Sequence, residues 1–136
     1  MQLKPFVKYQ LPFFLWIVCI FGLSSIPRVP VIKSPISLDK LVHIGLFFVM
    51  CWLGSRAFYY QSRYSWLNRS PLSAAFVFAI LYGILDEVHQ IYVPGRTSDV
   101  NDVLADVTGG LLFALWYVVR RNRMAAGSER RSGGSG

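Results

Sequence analysis

Cysteine and acidic residues are scarce in this chain of 136 residues, which has two of the first and seven of the second. Cys19 and Cys51 both lie inside apolar runs, and no CxxC or HxxxH spacing occurs. That excludes a disulfide framework and a zinc ribbon, and leaves the thiols as reduced packing residues. Charge of either sign is thin, at 15% of residues. An ordinary soluble domain carries about 25%. With 54% hydrophobic residues, a disordered chain and a soluble nucleic-acid binder are both excluded. No internal repeat is present, and the length allows one domain. The charge that remains is lopsided, at +7. In so apolar a chain the matching anion is the phosphate of lipid, not of nucleic acid.

Long apolar runs are what the sequence has in quantity. Four stand out, at 11–26, 41–60, 72–93 and 103–119. Prolines punctuate them: Pro12 and Pro27 bracket the first, and Pro71 and Pro94 the third. A helix needs about 20 residues to cross a bilayer core. Only helices and closed barrels satisfy their backbone in lipid, and these lengths are helical. Buried helices of a soluble protein would need more charge between them. The first run has Lys4 and Lys8 ahead of it, as a signal peptide would. It lacks a clean small-x-small cleavage site, because Ser24-Ser25 runs into Ile26-Pro27, so a retained helix is expected. The fold class is therefore all-α: an integral membrane bundle of four helices at about 11–27, 41–60, 72–93 and 102–119, within a domain at 1–123. The tail at 124–136 is rich in Gly, Ser and Arg and is expected to be disordered. Its closing SGGSG has the composition of an added linker, and its arginines suit anionic headgroups.

Basic residues set the orientation. Lys4, Lys8, Arg56, Arg63, Arg69, Arg120, Arg121, Arg123, Arg130 and Arg131 fall on one side, and Arg28, Lys33, Lys40 and Arg96 on the other, ten against four. Both termini and the loop at 61–70 are expected in the cytoplasm. The segments at 28–38 and 94–101 are expected outside.

Six of the seven acids crowd that outer side: Asp39, Asp86, Glu87, Asp99, Asp102 and Asp106. An acid at membrane depth costs about 2.5–3.5 kcal/mol on insertion scales, so such residues need partners and are functional candidates. Helical spacing lets them meet. Asp86, Glu87, Gln90 and Gly83 lie within one sector of about 100 degrees on the third helix, with Asp86 the more doubtful acid and His89 away from the sector's centre. Asp99, Asp102, Asp106, Gly109 and Gly110 make one stripe on the fourth. Asp39 and His43 are i, i+4 neighbours on the second, beside Lys40, and the first helix ends in Ser24-Ser25. Plainer roles compete. Lys40 suits an interface anchor. A lone His43 would be a packing residue, but Asp39 gives it a partner. Asp99 suits a helix N-cap, which is compatible with chemistry. Gly83, Gly109, Gly110, Gly45 and Gly54 suit close helix contact.

Taken in order, Ser24-Ser25-Ile26-Pro27, Asp39-Lys40-Leu41-Val42-His43, Glu87-Val88-His89-Gln90, Pro94-Gly95-Arg96, Asp99, Asp102, Asp106 and Gly109-Gly110 resemble the VanZ-like family. The resemblance spans nearly the whole chain before the tail. Asp106 stands where that family often has Asn, which adds an acid. The resemblance implies a small multi-pass protein of the bacterial cytoplasmic (inner) membrane. It also implies two activities: a link to teicoplanin, a lipoglycopeptide antibiotic, or kinship with enzymes that exchange or cleave lipid headgroups at a phosphate linkage.

Those residues suit a lipid phosphoester or polyprenyl phosphate at the outer leaflet. Arg96 offers a planar fork for phosphate and Lys40 a point charge. His43, oriented by Asp39, suits a general acid or base, and Glu87 suits activation of a water or headgroup alcohol. Gln90 and the Ser24 and Ser25 hydroxyls suit substrate positioning, with Ser25 the one singled out. Asp99 and Asp102 suit orientation of Arg96, or with the other acids, Asp106 among them, a divalent metal such as Mg²⁺, Mn²⁺ or Ca²⁺. No spacing demands that metal. The expected partners are membrane lipids or lipid-linked precursors, with no nucleic acid. The sequence does not fix the oligomeric state. Two other classes compete with an enzyme. One is a non-enzymatic binder of lipid or lipoglycopeptide. The other is an ion- or proton-linked carrier. A bare scaffold leaves the acids unexplained.

Overall fold

The computed structural model describes residues 3–27 and 38–132. The outer segment expected at 28–38, with Arg28 and Lys33, lies outside them except for Leu38. Helical turns at Leu3–Pro5 and Phe6–Gln10, the second a wider π turn, lead into α1 (Leu11–Ser24). The widening sits just ahead of Pro12, which has no N–H to return to the preceding turn. Helix α2 (Leu38–Tyr60) runs uninterrupted, as its lack of proline allows. A short helix, Ser65–Arg69, bridges to α3 (Pro71–Gln90), which opens on its proline, where a missing N–H costs nothing. Gly95, at φ 76°, turns the chain after α3, and α4 (Val100–Ser132) follows. The third helix thus ends at Gln90, before the expected residue 93, because Pro94 and Gly95 already require a turn there. The fourth continues past 119 to Ser132, through the tail expected to lie outside regular structure. Arg123, Met124, Ala125 and Ala126 are all good helix formers and carry it on.

Burial is inverted relative to a soluble protein. Phe14, Leu15, Leu81, Leu85, Leu111 and Leu115 are all more than half exposed, whereas His43, Asp86, Glu87, Gln90, Asp102 and Asp106 are buried. Each exposed Leu or Phe forgoes about 1.5–3 kcal/mol in water. So many outward apolar side chains, on four helices long and apolar enough to cross a membrane, identify the outer solvent as lipid. Among the described residues there is no strand, and the fold is the expected all-α membrane bundle.

Helix α2 is central and packs against α4, α3 and α1. The apolar core is Phe13, Ile20, Phe47, Met50, Cys51, Ala57, Ala79 and Phe113. Polar side chains tie the less buried α1 to it: Trp16 Nε1 donates to the Leu46 carbonyl at 3.0 Å, and Tyr82 Oη to that of Ile17 at 2.9 Å. Glycine sets the closest approach. A Cβ on Gly109 would collide with the Ile44 carbonyl of α2, and one on Gly110 would lie 2.9 Å from the Phe76 ring. Gly54 does the same service against Phe13, at 3.0 Å. Gly45, expected to help, faces open space with nothing within 4 Å.

The two ends of the bundle differ. At one end, Tyr9 stacks on Tyr60 at 3.9 Å, and the guanidinium of Arg56 lies over both Tyr9 and Trp52, at 5.3 and 5.6 Å. Arg120 lies over Trp116 at 5.1 Å. Such aromatic and cationic pairing is the composition of a membrane–water interface. The other end carries the acids.

Candidate functional site

The site is built where α1 and α3 end and α2 and α4 begin. Asp99 precedes α4 and caps it: its Oδ1 accepts the Asn101 backbone N–H at 2.9 Å. That bond first, and the Lys40 ammonium second, hold the Asp99 carboxyl below the usual carboxylate range. One and two turns further on, Asp102 and Asp106 face α2. Lys40, on the first turn of α2, donates to Asp99 Oδ2 at 3.1 Å and to Asp102 Oδ1 at 2.5 Å. The cation that Asp99 and Asp102 hold is therefore Lys40, where the sequence suggested Arg96.

His43 is buried one turn below Lys40. Its Nδ1 meets Asp106 Oδ1 at 2.8 Å, and its Nε2 lies 3.9 Å from Asp102 Oδ2. The group that orients the ring by hydrogen bond comes from α4, not from the helical neighbour Asp39. Asp39 keeps a carboxylate oxygen within 4.8 Å of donor atoms of both His43 and Asp102. Asp106 is almost fully buried, and Gly83 of α3 makes room for it: a Cβ there would sit 2.7 Å from Asp106 Oδ2.

Helix α3 supplies the third wall. Glu87 Oε2 accepts the Asp99 backbone N–H at 2.8 Å, which fixes the turn against the helix end. Gln90 Nε2 donates to Asp86 Oδ2 at 2.9 Å. Asp86 Oδ1, Glu87 Oε1 and Asp106 Oδ2 are buried with no hydrogen-bond partner among the described residues. Buried oxygens in that state cost about 1–3 kcal/mol each. Three together mark a place where something outside the chain belongs.

Helix α1 closes the fourth side. Arg96, from the Gly95 turn, donates to the carbonyls of Leu23 and Ile26, at 2.8 and 3.2 Å. It thereby fills the open C-terminal end of α1. Ser25 pairs with His89 Nε2 at 3.0 Å, away from the acids. Ser24 is buried instead and faces inward. Between the helices lies a cavity of about 290 Å³, lined by Ser24, Asp39, His43, Asp86, Gln90 and Arg96 among apolar walls.

Asp39, Lys40, His43, Asp99, Asp102 and Asp106 thus form one contiguous network, with Glu87 joined to it through Asp99. Gln90 and Arg96 share the cavity, and Ser25 stands apart from it. Two groups were ranked too low in the sequence reading. Asp86 had seemed peripheral beside Glu87, yet it lines the cavity, and its i, i+4 relation to Gln90 was the available signal. Ser24, not Ser25, turns inward, and on a helix end the sequence holds no signal to choose between them.

A family model described as VanZ/LLP1 matches residues 1–121. No curated protein and no solved structure matches the chain.

Proposed function

The chain belongs to the VanZ/LLP1 family, and from that premise we propose that its acidic end takes a phosphate-bearing headgroup, of a lipid or a lipid-linked envelope precursor, at the outer leaflet and acts on it. The observation that carries this reading is the convergence of polar groups from α1, α2, α3 and the turn before α4 around one cavity with apolar walls. Ile20, Leu23, Val42 and Leu46 line the same space as His43, Gln90 and Arg96, so the chamber suits a molecule with a charged head and an apolar stem. Among the described residues, Arg96 lines it, and Lys40 stands one turn from His43 on α2.

The chemistry follows from the network. His43, held by Asp106, is oriented as a general base. Its Nε2 would accept the proton of a water or headgroup alcohol as that oxygen bonds to phosphorus. The phosphorus–oxygen bond to the leaving alcohol then breaks, and the imidazolium or a protonated Glu87 returns a proton to that oxygen. Lys40 would balance charge gathering on the phosphoryl oxygens. In this reading the bundle sits in the bacterial cytoplasmic membrane with both termini in the cytoplasm, as its basic residues favour.

Proteoliposomes of defined phospholipids and polyprenyl phosphates, profiled by mass spectrometry, test it. The wild type is expected to generate a hydrolysed or headgroup-exchanged lipid, and His43→Ala and Glu87→Gln to slow that by about 10²–10⁴-fold. Identical profiles for all three proteins across the panel overturn catalysis.

One observation favours a second reading. Lys40 already pairs with Asp99 and Asp102, and Glu87 Oε2 takes the Asp99 backbone N–H, as in a rigid recognition cradle. A non-enzymatic binder of lipid or lipoglycopeptide, of the kind that teicoplanin resistance would use, predicts binding without turnover. An ion- or proton-linked carrier fits less well. It needs access from both sides, and Phe47, Met50 and Phe113 fill the bundle beyond the site.

A further inference from the structure

We infer that Asp39, His43 and Asp102 form a binding site for a divalent metal ion of the manganese or zinc kind. One nitrogen and two carboxylate oxygens from two helices lie within 4.8 Å of one another. Metal bonds of about 2.0–2.2 Å to such donors place them roughly 3–4 Å apart, so a small inward movement completes the set. The pair His43 Nε2 and Asp102 Oδ2, at 3.9 Å, is already within that span.

The surroundings favour an ion over a simple ion pair. Asp106 holds His43 by Nδ1, at 2.8 Å. The other ring nitrogen, Nε2, faces Asp102 Oδ2 at 3.9 Å, beyond direct hydrogen-bond reach. A ring nitrogen and a carboxylate oxygen thus face each other across a gap that a cation fits. A carboxylate behind a ligating histidine is the usual arrangement around protein-bound metals. Lys40 is a neighbour of this site and not a rival for it. It takes Asp102 Oδ1 and Asp99 Oδ2, and leaves Asp102 Oδ2 turned toward His43.

A second observation lies beside it: Asp86, 5% exposed, lines the same cavity as Asp39 and His43, and its Oδ1 has no hydrogen-bond partner among the described residues. A divalent ion held by Asp39, His43 and Asp102 would bridge an entering phosphate to the carboxylates of this end. That last use of the ion rests on the proposed function, with Glu87 as the base in place of His43, whose Nε2 lone pair the metal takes; the site itself rests on its donors. One imidazole with carboxylates suits Mn²⁺ or Zn²⁺ better than Mg²⁺ or Ca²⁺, which prefer oxygen alone.

The test uses the full chain in a neutral detergent, stripped by chelator and titrated with Mn²⁺ or Zn²⁺ alone. Calorimetry and the Mn²⁺ paramagnetic spectrum are expected to show one ion per chain, with nitrogen coupling from His43. Asp39→Asn is expected to weaken binding at least tenfold, and Asp106→Ala by about 10–100-fold through the freed imidazole. The metal-free melting temperature of Asp39→Asn, measured alongside, separates lost ligation from lost folding. Absence of saturable binding below about 1 mM overturns the site. So does equal affinity in Asp39→Asn. No phosphate lipid is present, so a failure here leaves the headgroup reading standing. Ion binding without any lipid preference would sink only that reading.

Discussion

Asp102 serves two neighbours at once, with Oδ1 on Lys40 and Oδ2 toward His43. Removing the ammonium strands a buried carboxylate, so Lys40→Gln should destabilise the protein by about 1–3 kcal/mol, read as a lower melting temperature in detergent. The double variant Lys40→Gln/Asp102→Asn should lose less than the sum of its parts, because each change removes the other's unpaired partner. Asp99 carries the pH dependence. Its folded-state carboxyl lies below the usual range, so its contribution is complete above about pH 4 and fades as pH falls through the lower folded value. The stability gap between wild type and Asp99→Asn should therefore be flat near neutrality and close in stronger acid. Measured melting curves in which the gap instead widens below pH 4 would contradict the assignment. At this scale the sequence was half legible. Periodicity showed that Asp102 and Asp106 share a face, but a spacing rule sees only one helix. It paired His43 with Asp39 and could not see that Asp106, from another helix, takes Nδ1.

Helices were the most legible level, because long apolar runs leave the backbone few alternatives in lipid. Their ends were less so. Pro94 announced the end of α3, but the break comes at Gln90, since the Gly95 turn needs the intervening residues. Glycine roles depended on the partner helix, which no single run reveals. Gly109 and Gly45 make the contrast measurable. Gly109→Ala drives a methyl into the Ile44 backbone, where neither side can yield, and should cost about 1–3 kcal/mol or separate α2 from α4. Gly45→Ala meets open space and should be neutral, or stabilising by about 1 kcal/mol from helix propensity. Equal melting temperatures for the two variants would deny the close α2–α4 crossing.

For the molecule as a whole, the inverted burial and the two unlike ends were foreshadowed by composition and by the placement of the acids. The interlocking of the site was not, because it depends on how four helices meet. Orientation yields to a direct labelling test. In a chain carrying Cys19→Ser, with Cys51 buried, Ser98→Cys lies at the acidic end and Ser62→Cys at the arginine-rich end. A membrane-impermeant maleimide added to intact cells should modify the first and reach the second only after permeabilisation. The reverse pattern would place the acids in the cytoplasm.

Native mass spectrometry of the purified protein bears most directly on the headgroup claim, with phosphatidylglycerol competing against diacylglycerol. The arginine-rich end offers a competing anion site, in a cleft lined by Arg56, Arg120 and Arg121, so variants must be compared at both ends. The proposed function predicts that the wild type retains the phosphate-bearing lipid in preference, and that Lys40→Gln/Arg96→Gln loses most of that preference. Preference unchanged in that variant, and abolished only when Arg56, Arg120 and Arg121 are replaced, would contradict it.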